Sequence, residues 1–570
     1  MRALACRFLL AALLGCAAAG TLAQIPSPVV TGPIPATVPP GDPSRDYPFF
    51  ATNHDLAQWG YVEEEFFIEG TANRYTTPSR ATGSIIDGGH PYKTRILVRR
   101  PLDPAKFEGT VFVEWSNVTG ANDSDNDWHQ VYHHVLRSGY AWVVVAAQQA
   151  GVHAANTGLK AFSPVRYASL DLRKGGAITN DALRFDAFSQ AAQALRNPGG
   201  IAPLGNLVPQ RLIATGHSQS GGNLIQYYNS IVPLVGSLFD GFVMRGSTGN
   251  TAVRDDVGIK VFALQAEADV LSGLNYRKPD SDIYRLWEVA GTSHGDYQGQ
   301  AVSRGPLALR DNDTPLAHVC VNEPSRSRVP FYHVMAAAFD HLVAWLKHGT
   351  PPPSGAERRL GLASTSPVVI ARDAFGNALG GIRLPDMAAP TALNTGQNQG
   401  PGLCSVRGRT VPFDVETLAA LYPRHVDYVH AVTASAAENV SAGFLLPEDA
   451  SATVTKAHWS TVGSGNPCGA ECRAAEELRV WTVAFLVRPP YAEELLKSLD
   501  KAAQAIASGD AGSRHKARLD YQNARHFLEQ YVRALQELQA TEIVLPSIAA
   551  VLLGDAATLI SSVDALIAGL

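Results

Sequence analysis

The sequence predicts an α/β fold: a mostly parallel central sheet with helices on both faces, followed by a C-terminal α-helical extension. Three observations predict it. Short continuous apolar runs recur along the first half of the chain, helical patterns lie between several of them, and the last hundred or so residues carry helical periodicity alone.

In chain order, the leader MRALACRFLLAALLGCAAAGTLAQ sets Arg2 and Arg7 before an apolar run from Phe8 to Ala19, with small residues after it. That is the order of a secretory signal peptide over residues 1–23, cleaved after Ala23. The run is shorter than the ~20 apolar residues of a membrane span. The alternative reads LLGC as a lipoprotein signal with Cys16 as the lipidated N-terminus. Both readings place the protein outside the cytoplasm, secreted or periplasmic. Residues 24–45 are dense in proline (IPSPVVTGPIPATVPPGDP) and read as an N-terminal arm rather than a core element, because proline lacks an amide donor and favours extended backbone. VEEEFF, at 62–67, reads as a solvated strand end.

The core, 46–350, contains the strand-like runs YKTRILVRR (92–100), TVFVEW (110–115), AWVVVAA (141–147), RLIATG (211–216), GFVMRG (241–246), KVFALQA (260–266) and YRLWEVAG (284–291). Runs without polar alternation suit strands covered on both faces. ALRFDAFSQAAQALR (182–196), NLIQYYNSIV (223–232) and FYHVMAAAFDHLVAWLKHG (331–349) read as helices. TPPPSG then breaks the pattern, and residues 351–465 are mixed and rich in turns. Residues 466–570 read as a helical module, with Leu495, Leu499, Ala502 and Ile506, then Ala524, Phe527, Tyr531, Leu535 and Leu538, at helical spacing. Asp555 and Asp564 interrupt the last apolar stretch, which argues for a packed helix and against a transmembrane span.

A formal net charge of −5, from 47 basic and 52 acidic residues, gives no reason to expect nucleic acid as a partner. Removing the leader leaves Cys320, Cys404, Cys468 and Cys472 in a compartment that permits disulfides. Their connectivity is not readable from sequence; pairing of Cys468 with Cys472 and of Cys320 with Cys404 is the expectation. The rival for CGAEC is half of a metal site, for which no matching pair lies nearby.

The chemistry centres on GHSQSGG (216–222), which joins a strand to a helix. That context is the nucleophile elbow of the α/β-hydrolase fold. Strand register favours Ser218, two residues past the apolar run and two after Gly216; Ser220 is the alternative frame. A serine hydroxyl needs a base, and the base needs an orienting acid. In this architecture they follow in the order serine, acid, histidine. KVFALQAEADV supplies Asp269 after a strand, with Glu267 as the alternative, and WEVAGTSHGDY supplies His294 after the next. Two amides must hold the oxyanion. One is at Gln219; the other is expected at Ser116 or Asn117, in the loop after TVFVEW. A histidine base predicts a rate that rises through about pH 6–7.

VEWSNVTG (113–120), GHSQSGG (216–222), SDIYRLWEVAGTSHGDY (281–297) and DAFGNALGGIRLPDM (373–387) together resemble the bacterial family of alpha/beta hydrolase domain-containing proteins, over about residues 45–460. The resemblance implies a secreted serine carboxylesterase-like hydrolase with Ser218 as nucleophile, His294 as base and the acid within EAD. It also makes 351–465 part of the hydrolase domain and leaves the helical tail outside.

The remaining features read as structural. His129 and His133 have zinc-like spacing but lack the glutamate of an HExxH site, so they read as a helix beside the oxyanion loop. Trp128 reads as core, with a wall of the acyl pocket as the alternative. Asn117-Val-Thr and Asn439-Val-Ser match glycosylation sequons. No cofactor and no metal is expected. The partner is a small-molecule or polymeric ester, and the helical tail is a candidate for binding a surface or a partner. Two other functions fit the same residues: a catalytically silent hydrolase fold used for binding, and an amidase or acyltransferase with the same triad.

Overall fold

The computed structural model describes residues 24–247, 252–312, 320–322 and 325–460, then 462–463, 474–475, 478–479, 482, 489–510, 512–540, 544 and 546–570. The leader 1–23, and Cys468 and Cys472, lie outside the described residues.

A 9-stranded sheet organises the chain, in the order β1-β2-β3-β5-β4-β6-β7-β8-β9. The strands are β1 (Val29–Thr31), β2 (Tyr61–Tyr75), β3 (Ile85–Pro101), β4 (Thr110–Trp115), β5 (Ala141–Val145), β6 (Arg211–His217), β7 (Gly241–Arg245), β8 (Lys260–Ala266) and β9 (Tyr284–Val289). From β5 to β9 every neighbour is parallel, whereas β1, β2, β3 and β5 pair antiparallel. Every residue of β4 and β5 is buried, which is why these strands read as mostly apolar runs. The helices that flank the site are α1 (Trp128–Ser138), α2 (Arg184–Arg196), α3 (Gln219–Gln226), α4 (Arg304–Asn312) and α5 (Phe331–His348). The chain leaves β4 towards β5 on one side and returns to β6 on the other. That reversal opens a crevice at the carboxyl ends of β4 and β6, the usual place for a ligand in an open α/β sheet.

Two expectations are corrected at the sheet's antiparallel edge. The proline-rich arm is a core element: Val30 pairs with Ile68 of β2, and Ile25 and Val30 are buried in the main core. An edge strand tolerates proline, and Pro28 and Pro33 flank the paired residues rather than interrupt them. VEEEFF is not solvated either. It lies inside β2, where Glu65 is fully buried. Glu65 holds Arg95 at 3.0 Å and Arg166 at 2.7 Å, and Glu63 holds Arg99 at 2.7 Å. Opposite charges neutralise one another, so Glu65 goes inside while Glu63 and Glu64 stay half-buried.

Residues 356–459 build onto the far edge of the sheet. Ile382 bridges Val289 in parallel register, and Leu360, Ile382, Leu384, Met387 and Phe444 join the main core. Cys320 and Cys404 form a disulfide, as expected from the sequence.

The tail forms α6 (Pro489–Asp510), α7 (Arg514–Ala540) and α8 (Pro546–Gly569) around a second core. Leu495, Leu499, Ala502 and Ile506 are buried there, as are Ala524, Tyr531 and Leu535. On α7 Leu528 takes the buried place expected of Phe527, and Phe527 and Leu538 pack only at its margin. Leu552–Gly569 is long and apolar enough to cross a membrane by length and composition. Its stripe Leu552, Ala556, Leu559 and Val563 is buried in the tail's own core, and Asp564 beside that stripe meets Arg525 at 2.7 Å.

Burial of histidines makes the fold acid-sensitive. His333 on α5 is buried with Nδ1 unpartnered, and burial pulls its pKa down to about 4. His153 falls to about 4 through burial, reinforced by Arg173 and Lys160. A histidine depressed in this way is neutral in the folded state. Its contribution is complete above the unfolded value near 6.5 and is lost as pH falls from there towards 4. Conformational stability is expected to drop across that window, by up to about 3 kcal/mol for each such group. Denaturant titrations at pH 7 and pH 4.5 check it: His333→Phe should show a smaller difference between the two, and an unchanged difference would remove His333 from the account.

Candidate active site

Ser218 sits between β6 and α3 with φ +60° and ψ −118°, a conformation that a non-glycine residue adopts only when its surroundings enforce it. Its amide donates to Arg245 O at 2.9 Å, and its carbonyl accepts from Gly222 N at 2.9 Å. Gly216 lies close under this turn: a Cβ there would sit 3.0 Å from Leu224 Cδ1 and 3.1 Å from the Ser220 carbonyl carbon. The tighter approach is at Gly221, where a Cβ would meet Gly216 O at 2.9 Å and collide with Ser247 Oγ.

Ser220, the alternative nucleophile, faces inward. It is 1% exposed, its Oγ donates to His217 O at 2.8 Å, and it accepts from His217 N at 3.1 Å. It stands where a second glycine is usual in such elbows, and its hydroxyl braces the turn.

Asp269 and His294 come together as the sequence order suggests. Asp269 Oδ1 and His294 Nδ1 are 2.5 Å apart, and Asp269 Oδ2 accepts from Ala266 N at 2.8 Å. Glu267 is fully buried and serves a different purpose. Its carboxylate accepts from Gly291 N, Thr395 Oγ1 and Gly396 N, and pairs with Arg372 at 2.8 Å, tying the stretch after the break to the sheet. The rings of His217 and His294 lie 4.2 Å apart, tilted by 38°. Burial, then Arg245 and His294, hold the pKa of His217 well below the ordinary imidazole value, so it stays neutral. Gly246, with φ +55°, passes behind both rings; a Cβ there would lie 2.9 Å from His294 Cε1 and Nδ1. Gly246→Ala is expected to displace the imidazole and cut ester turnover by about 10²-fold or more, since small misplacements of a reacting group have effects of that size. Comparison of kcat between this variant and wild type checks it.

The expected second oxyanion donor needs correction. Ser116 N already donates to Val145 O at 3.2 Å, and Asn117 N donates to Ser124 O at 2.7 Å. Both amides continue strand-like pairing beyond β4. Asn117 instead ties the loop to the elbow through Nδ2, which donates to His217 O at 2.8 Å. The next amide, at Val118, meets Gln219 Oε1 at 3.5 Å, its one acceptor among the described residues.

Sequence reading missed what positions this loop. Asp123, Asp125 and Asp127 alternate along it, and each is pinned: Asp123 to Arg95 at 3.1 Å, Asp125 to Arg99 at 2.6 Å, and Asp127 to Arg245 at 2.6 Å. Their spacing in NDSDND was the available signal, a two-residue period in an acidic loop. Gln148 was missed as well. Its Oε1 accepts from Trp115, Gln219 and Asn223, and a lone glutamine after a strand carries no signal.

The features set aside are structural. His129 Nδ1 contacts Ser303 Oγ at 2.8 Å, and Nε2 lies 3.2 Å from Asp125. Trp128 is fully buried beneath the guanidinium of Arg99, so it is core and not a pocket wall. Asn117 and Asn439 of the sequons are both buried. Among the described residues no group of three or more His, Cys, Asp or Glu could hold a metal ion.

Ser218, His217 and His294 open into a cavity of about 370 Å³. The loop after β4 lines one side with Asn117, Thr119, Gly120, Asn122, Ser124 and Asn126. Leu403, Val406 and Arg407 enter from the stretch after the break, and Val406 O accepts from His294 N at 3.0 Å. The roof is the π-helical segment Tyr297–Ser303 with α4: Gln300, Arg304 and Ala308 line the cavity, whereas Ala301 and Leu309 are buried in the tail's core.

Residues 30–455 match the family model described as an alpha/beta hydrolase domain. Solved structures similar to the chain include a glucuronoyl esterase from Solibacter usitatus, 11% identical, covering 40% of this chain and 76% of that one with a TM-score of 0.23. A dienelactone hydrolase from Klebsiella pneumoniae subsp. pneumoniae MGH 78578, named in its description only by that presumed activity, is 12% identical and covers 50% of this chain and 99% of its own, with a TM-score of 0.23. No curated protein matches the sequence.

Proposed function

The chain belongs to the alpha/beta hydrolase domain family, and we propose that it is a serine hydrolase that cleaves carboxylic esters, exported by its leader. One observation supports this reading above the rest: the 2.5 Å contact between Asp269 and His294, at a cavity that also holds a serine forced to φ +60°.

In this mechanism His294 takes the proton of Ser218 Oγ as that oxygen attacks the ester carbonyl. Asp269 holds the imidazole in the tautomer with its proton on Nδ1 and stabilises the imidazolium. The oxyanion is held by the amide of Gln219, at the N-terminus of α3, and by that of Val118, which replaces the Ser116 and Asn117 donors expected from sequence. His294 then protonates the leaving alcohol, and water attacks the acyl-enzyme by the same route in reverse.

The test is hydrolysis of 4-nitrophenyl acetate together with labelling by a fluorophosphonate probe. Wild type should turn over and label. Asp269→Asn should lose about 10⁴-fold in kcat, the size expected when the histidine tautomer is no longer enforced. Glu267→Gln should lower stability and leave a pH-dependent rate. Labelling without turnover of any ester would turn the reading towards amides or acyl transfer. Neither labelling nor turnover would leave a binding scaffold.

A further inference from the structure

Arg304 is a cation in an unusual position. Arg304 is half-buried, whereas Arg95, Arg99, Arg166 and Arg245 are buried and each meets a carboxylate within 3.1 Å. Arg304, at the start of α4, has no ion pair among the described residues. Its Nε donates to Ser124 Oγ at 2.8 Å, and its guanidinium lies 5.5 Å from the ring centre of Phe50. The carboxylate that influences it, Asp125, is committed to Arg99 at 2.6 Å and to His129 at 3.2 Å. Burial pulls the pKa of Arg304 below the ordinary guanidinium value, the sign of a charge short of compensation.

Arg304, Arg326 and Arg407 all line the cavity, and among the described residues that line it there is no aspartate or glutamate. This occurs in a protein whose net charge is −5. Arginine offers a planar fork of donors suited to a carboxylate; Nε of Arg304 is on Ser124, and among the described residues no hydrogen-bond acceptor takes its two terminal nitrogens. A half-buried cation without a counter-charge is well placed to gain from a ligand that supplies one.

We propose that the cavity selects esters that carry a free carboxylate, and that Arg304 is the residue that receives it. The inference rests on the ester-hydrolase reading for its chemistry, though not for its binding. The carboxylate takes no part in the bond changes: Ser218 still attacks the neutral ester carbonyl. Its effect is on binding and orientation.

Two substrate pairs test this, one with the charge on the alcohol side and one with it on the acyl side. They are 4-acetoxybenzoate against 4-acetoxybenzamide, and monomethyl glutarate against methyl glutaramate. For at least one pair the anion should have a kcat/KM at least about 10-fold higher than its neutral partner, carried in KM. In Arg304→Gln that ratio should fall to about 1, and in Arg304→Lys it should stay well above 1, which also shows that the position tolerates substitution. Raising salt should shrink the ratio in wild type. Equal rates within both pairs, or a ratio untouched by Arg304→Gln, would overturn the proposal while leaving the hydrolase intact. Calorimetry on Ser218→Ala with 4-hydroxybenzoate and 4-hydroxybenzamide separates the two readings. Anion-selective binding that Arg304→Gln removes, in a protein that hydrolyses nothing, would retain the anion site and discard the esterase.

Discussion

Ser218→Ala is expected to lose about 10⁴-fold or more in kcat on 4-nitrophenyl acetate and all fluorophosphonate labelling, whereas Ser220→Ala keeps a measurable rate. The two serines lie two residues apart, yet the fold uses them in opposite ways. Ser218 is raised into the cavity by a backbone conformation that its neighbours impose. Ser220 turns under the elbow and bonds both the amide and the carbonyl of His217. Removing the Ser220 hydroxyl takes that acceptor from the buried His217 amide, while His217 O keeps Asn117 Nδ2, a loss of about 1–3 kcal/mol of stability. Ester assays and thermal melts on both variants make the comparison. A fully active Ser218→Ala, or a dead but well-folded Ser220→Ala, would shift the elbow by two residues and take the Gln219 oxyanion assignment with it.

The second large effect concerns stability. Glu65→Ala is expected to destabilise the fold by about 3–5 kcal/mol, the range for removing one member of a buried ionic cluster. Glu65 is fully buried and is the carboxylate shared by Arg95 and Arg166. It also accepts from the Tyr167 hydroxyl at 2.7 Å. Removing it leaves two guanidinium groups inside with reduced compensation: Asp123 for Arg95 and Asp46 for Arg166. Arg95 also pins the loop after β4 through Asp123, so activity should fall along with stability. Chemical denaturation gives the number. Glu65→Met combined with Arg95→Met should recover part of the loss, because both charges then leave together. A Glu65→Ala protein within about 1 kcal/mol of wild type would show the cluster to be dispensable.

The legible parts of the sequence were those governed by a single local rule. TVFVEW and KVFALQA match β4 and β8 end to end, because a strand covered on both faces is mostly apolar. Asp269 and His294, read from their places just after two successive strands, lie in contact at 2.5 Å. Readings failed where a residue's environment came from a distant partner. Glu65 reads as solvent-facing until Arg95 and Arg166 are placed beside it. Val30 reads as part of a loose arm until β2 offers an edge. Ser116 and Asn117 occupy the right loop, but their amides are taken by Val145 and Ser124, and a pairing beyond the end of a strand leaves no mark in composition. Arg304 carried no signal because its meaning lies in a missing neighbour.

The roof of the cavity belongs to two interiors at once. Between Tyr297 and Asn312 one side of the segment faces the substrate space, and the other is held by the tail through Ala301 and Leu309. Such a shared segment links the two thermodynamically. Any molecule that grips the helical tail and shifts this segment changes the affinity of the cavity, and an occupant of the cavity changes the affinity of the tail by the same factor. A carboxylate on Arg304 is therefore also a message to the far side of the roof.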